Sequence, residues 1–278
     1  MAMTSPSRRH LRWTSNGILG LVGIAFALPL VWLVVASFDD HANLTLQWPR
    51  HFSLVNFEAV LTPDLAYVPL WNSMMISLGC AVITVAVAVL AAYPLSRYKL
   101  RINKPFLYGV LFGTCLPITA MMVPVYSLFV SLNLIDSEPG VVVFMAATSL
   151  PMAIWMMKNF MDSVPIVLEE AAWADGASMF TTLWRVVVPL MRPGIAVVFV
   201  FVFVQAWGNF FVPFILLLSP EKFPAAVSIF AFFGQYGSVM YGQLAAFSLV
   251  YSIPALALYV FTSRVLGGGS ALAGAVKG

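Results

Sequence analysis

The chain has 278 residues, 61% of them apolar and 9% charged, with a net charge of +3 and a mean hydropathy of +0.93. A soluble domain carries roughly 25% charged residues, so this composition excludes a water-facing surface of ordinary size. The informative count is therefore of membrane spans. Cys80 and Cys115 lie in apolar runs and read as small buried hydrophobes, not as a disulfide or redox pair. His10, His41 and His51 fall outside those runs, and no histidine, cysteine and carboxylate cluster has metal-ligand spacing.

In chain order, charge-free runs occupy 17–37, 65–96, 105–135, 139–157, 193–220 and 223–263. About 20 helical residues cross a ~30 Å hydrocarbon core, so the first five runs predict one span each. The sixth is long enough for two, but Gly234, Gln235 and Gly237 interrupt it. The last helix is therefore placed near 239–263, with 220–238 as an apolar loop at the membrane surface. The expectation is an all-α polytopic membrane protein of six transmembrane helices: a tail at 1–16, a membrane domain at 17–263 and a tail at 264–278. Arg8, Arg9 and Arg12 ahead of the first run resemble a leader's basic region, yet the run is longer than a leader's apolar core and reads as a retained helix.

Basic residues set the orientation. With the N-terminus inside, Arg8, Arg9, Arg12, Arg97, Lys99, Arg101, Lys104, Lys158, Arg185, Arg192, Arg264 and Lys277 fall on inner segments, and Arg50 and Lys222 outside. A seven-helix count would move Arg264 outside and weaken the pattern. The outer segments are then 38–64, with a short interfacial helix over 54–61, and 219–238. The inner segments are the basic turn 97–104 and a longer stretch, 158–192, with charges of both signs.

That stretch has helical signals of its own. Pro165 suits a first helical turn, Glu169, Glu170, Ala171 and Ala172 sustain a helix, and Gly176 sits where a left-handed cap belongs. Ser178 can cap a second helix over 179–185, and Pro189 and Pro193 punctuate the return to the membrane. A helix this short is unstable alone and needs something to dock on. The bland alternative is that Glu169, Glu170 and Asp175 are solvated loop charges; small Ala171 and Ala172 beside large Trp173 favour a docked face.

Glu170-Ala171-Ala172, three residues, Gly176, nine residues and Val186-Val187-Val188-Pro189 resemble the EAA loop of bacterial ABC importer permeases. Val186 and Val188 depart mildly from that family's Ile-x-Leu-Pro ending. Asn72-Ser73, Ala92-Tyr93-Pro94-Leu95-Ser96-Arg97, Pro117, Pro124-Val125-Tyr126, Leu150-Pro151-Met152-Ala153-Ile154-Trp155 and the C-terminal Gly274-Ala275-Val276-Lys277-Gly278 are similar to the carbohydrate-importer branch, with its maltose-permease-like six-helix subunits. Gln205-Ala206-Trp207-Gly208-Asn209-Phe210 lacks the carboxylate that often follows Trp-Asn in that branch.

The resemblance implies a type I ABC importer permease fold. It also implies a second permease subunit, two ATPase subunits, an extracytoplasmic solute-binding protein, and no nucleic-acid partner. ATP and Mg would be used by the ATPases and no cofactor by this chain. Glu169, Glu170, Ala171, Ala172, Asp175, Gly176 and Pro189 would form the ATPase-coupling element. In maltose-type relatives the outer loop reaches the binding protein, which here points to Lys222, Gln235 and Tyr236. Gln205 and Asn209, four apart on one predicted helical face, together with Asn72 and Tyr126, either line the solute path or hydrogen-bond across the bundle.

An ion-coupled secondary transporter is the rival reading. It would normally carry ionisable residues inside its spans, and the predicted spans contain none. A membrane-embedded enzyme would need an acid, base, metal or nucleophile set, and none is found.

The topology has a direct test. Cysteine substituted at Asp64 or Glu221 should react with an impermeant reagent from outside, and at Lys99 or Asp175 should not. Labelling of Glu221→Cys from inside only would break the six-helix reading.

Overall fold

A computed structural model describes residues 6–45, 47–49, 51–99, 101–115, 117–234 and 239–267, with side chains between residues 15 and 264. Among the described residues the secondary structure is helical, apart from one isolated antiparallel bridge between Phe233 and Val239. Four helices are long and apolar enough to cross a membrane: 15–37, 63–97, 138–162 and 241–264. Two bent pairs, 103–113 with 118–131 and 179–190 with 192–207, bring the number to six when each is one span.

The breaks follow from proline and from missing amide donors. The run expected as one helix at 105–135 is two, α4 (Asn103–Gly113) and α5 (Ile118–Ser131). Pro117 takes extended angles (φ −65°, ψ 126°) ahead of α5, a conformation that ends one helix and starts another. The run expected at 193–220 is also two: α10 (Arg192–Trp207) stops before Gly208, and α11 (Phe211–Leu216) follows.

Two π turns, Pro63–Tyr67 and Leu183–Val187, each end two residues before a proline, Pro69 and Pro189. Proline gives no N–H to the carbonyl four residues back, and its ring crowds that carbonyl, so the preceding turn widens. The 220–238 segment is not a featureless loop. It holds short helical turns at Pro220–Lys222, Ala225–Ser228 and Ile229–Phe232 before α13 (Tyr241–Gly267).

The chain divides into two compact units, residues 1–66 with 229–252, and residues 67–228 with 253–278. In the first, α1 (Pro6–Ser37) is followed by α2 (Val55–Val60), the short helix expected over 54–61. The buried Asn56 amide donates to the Ser37 and Asp39 carbonyls at 3.2 and 2.8 Å, capping the end of α1. Gly242 lies against that amide so closely that a Cβ there would stand 2.5 Å from Asn56 Nδ2.

The second unit is built on α3 (Val68–Arg97), α6 (Glu138–Asp162) and α10. α3 and α6 form its most extensive helix pair. Ala81, Ala88 and Ala92 on α3 and Ala146 and Ala153 on α6 are buried. Small side chains of this kind let membrane helices approach, since lipid supplies no hydrophobic drive between them. Thr84 donates to the Ala146 carbonyl at 3.3 Å, and Gly194 sits where a Cβ would collide with Phe160. Cys80 is buried here as expected; Cys115 is exposed instead, because it follows α4, none of whose residues is buried.

One end of this unit is closed by Asp136, in the turn between α5 and α6. It adopts φ 60°, the left-handed region that few residues other than Asn and Asp accept. Its carboxylate accepts from the Leu218 and Ser219 amides, the Ser219 hydroxyl and Lys222 Nζ, the last at 2.7 Å. The Lys222 ammonium first, then Ser219 and Leu218, hold the Asp136 carboxyl well below the usual carboxylate range. The same bond raises the Lys222 ammonium.

A depressed carboxylate contributes stability that is present above its unfolded value, about 3.9, and lost as pH falls through the folded one. Asp136→Asn keeps the left-handed backbone and removes the charge. It should lower the Tm of the purified protein at pH 7 and flatten the loss of Tm on acidification below about pH 4. Thermal unfolding in detergent across that range is the measurement.

Candidate functional site

Opposite the Asp136 end, the chain leaves α6 and turns sharply into α7 (Val167–Ala174), two residues after Pro165. The Pro165 carbonyl accepts from Leu168 N–H at 3.3 Å, and the Ile166 carbonyl from Glu169 and Glu170 N–H at 2.8 and 3.0 Å. Proline thus sets the entry to α7 without lying inside it. At the other end Gly176 N–H donates to Trp173 O at 3.0 Å and Ala177 N–H to Ala172 O at 2.9 Å. With Gly176 at φ 84°, this is a complete Schellman cap. Ser178 Oγ then accepts from Thr181 N–H at 3.2 Å and starts α8 (Met179–Thr182). The π turn and α9 (Val188–Leu190), which includes Pro189, carry the chain to α10 through a 78° bend.

The two adjacent glutamates of α7 have different fates. Neighbouring residues on a helix point about 100° apart, so Glu169 and Glu170 cannot share a face. Glu170 is exposed, along with Val167, Leu168, Ala171, Trp173 and Asp175, and Ala172 is half-buried. Glu169 has no solvent exposure. Its Oε2 accepts from the Tyr93 hydroxyl at 2.9 Å and its Oε1 from Arg97 Nε at 2.6 Å. The expectation that Glu169 belongs with Glu170 on an outward docking face is therefore corrected: Glu169 faces α3.

Arg97 uses all three nitrogens of its guanidinium. Nη2 donates to the Val164 carbonyl at 3.1 Å and Nη1 to Ser96 Oγ at 3.0 Å, while Ser96 donates to Asp162 at 2.6 Å. Lys158 pairs with Asp162 one turn away on α6. In the sequence Tyr93 and Arg97 lie in the Ala92–Arg97 stretch similar to the carbohydrate-importer branch, and Arg97 reads as one more basic residue of the 97–104 turn. Only its four-residue spacing from Tyr93, which puts both on one face, hinted at a joint task.

The predicted solute-path residues are not brought together as expected. Gln205 and Asn209 do not share a helical face, because α10 ends at Trp207 and Gly208 breaks the helix. Asn209 Oδ1 instead accepts from Val212 N–H at 3.1 Å, starting α11. Gln205 is exposed near the end of α10, and Tyr126 is exposed on α5. Asn72 donates to the carbonyls of Glu221 and Phe223 at 2.8 and 3.2 Å, and Ser73 Oγ accepts from Ala225 N–H at 2.8 Å. Asn72 thus ties the start of α3 to the 221–225 segment. Lys222 is bound to Asp136, and Gln235 and Tyr236 lie outside the described residues.

The description "Binding-protein-dependent transport system inner membrane component" matches residues 84–267, which include this whole element. The chain belongs to that family. It is 36% identical over 230 residues to a putative ABC transporter permease protein of Streptomyces antibioticus, covering 82% of this chain and 99% of that one. It is 28% identical over 277 residues to the sulfoquinovosyl glycerol transport system permease protein SmoH of Agrobacterium fabrum, covering 98% of this chain and 95% of that one. Among solved structures, a bacterial ABC transporter involved in import of the acidic polysaccharide alginate superposes with a TM-score of 0.82 at 21% identity, over 95% of this chain and 99% of that chain. That likeness is one of fold. The chain is accordingly an ABC importer permease of the type I fold.

The cap at Gly176 can be tested by itself. A Cβ there would meet nothing within 4 Å, so substitution costs backbone strain alone, about 1–2 kcal/mol. Gly176→Val should make the 163–178 stretch several-fold more sensitive to limited proteolysis while shifting Tm only slightly. Gly176→Asn, which tolerates positive φ, should fall between.

Proposed function

We propose that this chain is one of two membrane subunits forming the path of an ATP-driven importer for a carbohydrate or related polar solute. An extracytoplasmic binding protein delivers the solute, and two separate ATPase subunits supply the energy. ATP and Mg are used on those subunits, and this chain carries no catalytic residues. The sugar-type solute follows the relatives: one is named for sulfoquinovosyl glycerol, and the solved fold neighbour imports alginate. The twelve-to-two division of basic residues supports termini and 158–192 on the cytoplasmic side, and 38–64 and 219–238 outside. We read 17–263 as the membrane-spanning permease region, with tails at 1–16 and 264–278.

The observation that carries this reading is α7. It is a short helix with a proline-set entry and a Schellman cap, bonded to α3 through Glu169, packed on α8 and the π turn, and open on the side of Glu170. An element of that kind can move as a unit, which coupling to an external motor requires. Glu170, Ala171 and Asp175 form the open side and Gly176 its cap, Ala172 is half-buried on the Glu169 face, and Trp173 adds a large apolar contact at 41% exposure. Pro189 directs the return into the membrane. Lys222, Gln235 and Tyr236 are assigned to the binding-protein side, and Gln205, Asn209 and Tyr126 to the solute path. In this reading Asn72 acts on the path through the 221–225 segment and makes no direct contact with solute.

Glu170→Lys reverses a charge on the open side without touching the Arg97 pair. A cationic residue on the ATPase would be the natural partner of Glu170, and like-charge opposition at a partly desolvated contact costs several kcal/mol, so the ATPase should co-purify at least tenfold less while the chain inserts normally. Normal ATPase recovery and normal ATP hydrolysis by the variant complex would remove α7 as the contact.

A further inference from the structure

The link between α6 and α7 is short and has few internal bonds. The Ser163 and Val164 amides reach back to Phe160 and Met161, and Pro165 has no donor to give. A push on α7 would be absorbed there unless something else held the helix. Beyond its packing on α8 and the π turn at Leu183–Val187, the side-chain hydrogen bonds that hold Glu169 of α7 come from α3. Tyr93 and Arg97, one turn apart, grip Glu169 on both carboxylate oxygens, and Arg97 also grips the link at the Val164 carbonyl. The Arg97 and Glu169 side chains are 6% and 0% exposed. Arg97 donates from three nitrogens spread over a planar guanidinium; an ammonium carries its three donors on one nitrogen and cannot span the same acceptors. At its other end, α3 is fixed through Asn72 and Ser73 to the 221–225 segment.

We propose that Arg97 is the positioning residue of the coupling element: through Glu169 and Val164 it makes α7 a rigid appendage of α3, so that displacement of α7 is delivered to α3 and along it to the 221–225 segment. This rests on the reading of α7 as the ATPase contact. It adds that the motion enters through the second span and not along the backbone link. Arg97 touches neither ATP nor solute; it acts by fixing where Glu169, and with it α7, can go.

The test uses the assembled complex in lipid vesicles, with Cys115→Ser to remove the exposed thiol. Nitroxide labels are placed at Val87→Cys on α3 and Ala174→Cys on α7, both exposed positions. Pulsed electron resonance then gives the α3–α7 distance distribution with and without Mg-ATP. In the otherwise unmodified chain the distribution should be narrow and unchanged by Mg-ATP. In Arg97→Lys, and in Arg97→Met combined with Glu169→Leu, it should at least double in width and respond to Mg-ATP. The double variant removes both buried charges with apolar groups of similar volume, a change that is often neutral or stabilising, so the fold survives.

A distribution in both variants as narrow as the unmodified one, with any change confined to Tm, would make the pair a stabilising contact only and overturn the proposal. So would an α3–α7 distance that shifts with Mg-ATP in the unmodified chain. Failure of the ATPase to co-purify with the unmodified chain would overturn the underlying reading of α7. ATPase bound normally beside unaltered variant distributions would overturn this inference alone.

Discussion

Keeping a carboxylate without solvent contact at the edge of an apolar bundle costs several kcal/mol unless it is paired and hydrogen-bonded. Glu169 meets that requirement: both oxygens are occupied, one by a guanidinium and one by a phenol hydroxyl. The arrangement demands that α7 come back against the end of α3, and this fixes the turn at 163–166 and the direction in which Glu170 and Trp173 face. An eight-residue helix has no stability of its own to set these positions. Removing one partner would strand a buried charge, which is why the pair determines geometry more strongly than its net stabilisation would suggest.

The two ends of the second unit are held by different chemistry. At one end a guanidinium with three directed donors joins α3, the α6–α7 link and α7. At the other, Asp136 collects two amides, a hydroxyl and an ammonium from 218–222, and Asn72 and Ser73 collect backbone groups from 221–225. Between them lies a mostly apolar α3–α6 pair, about 45 Å of α3, crossed in mid-span by the long Thr84 to Ala146 carbonyl bond at 3.3 Å. Polar bonds at the ends and close apolar packing between them suit a helix that moves as one body.

Proline placement explains most of the irregular backbone. Pro117 divides the third run, Pro165 sets the entry to α7, and Pro69 and Pro189 each follow a π turn. Interior prolines at 29, 94, 124, 151 and 254 leave their helices unbroken. Pro94 and Pro151 lie in helices packed against one another, whereas at 117 the chain is already leaving a helix that buries nothing; Pro29 lies unbroken in an exposed stretch of α1, so packing alone does not decide.

The sequence by itself determined the helical class, the six apolar runs, the short capped helix of the 158–192 segment, the positive φ of Gly176 and the family. These depend on composition, local hydrogen-bonding chemistry and spacing, all of which are local along the chain. It did not determine that Glu169 turns inward while Glu170 stays open, that Asn209 starts a helix, or that Lys222 is bound to Asp136. Nor did it reveal the task of Arg97, which in the chain looks like one more basic residue at a membrane boundary. Each of these depends on partners far away in sequence: 72 residues separate Arg97 from Glu169, and 86 separate Asp136 from Lys222. A charge near a span end satisfies the orientation rule whether it meets water or a buried carboxylate. Tertiary packing decides between them, because it alone determines which side chains lose their water.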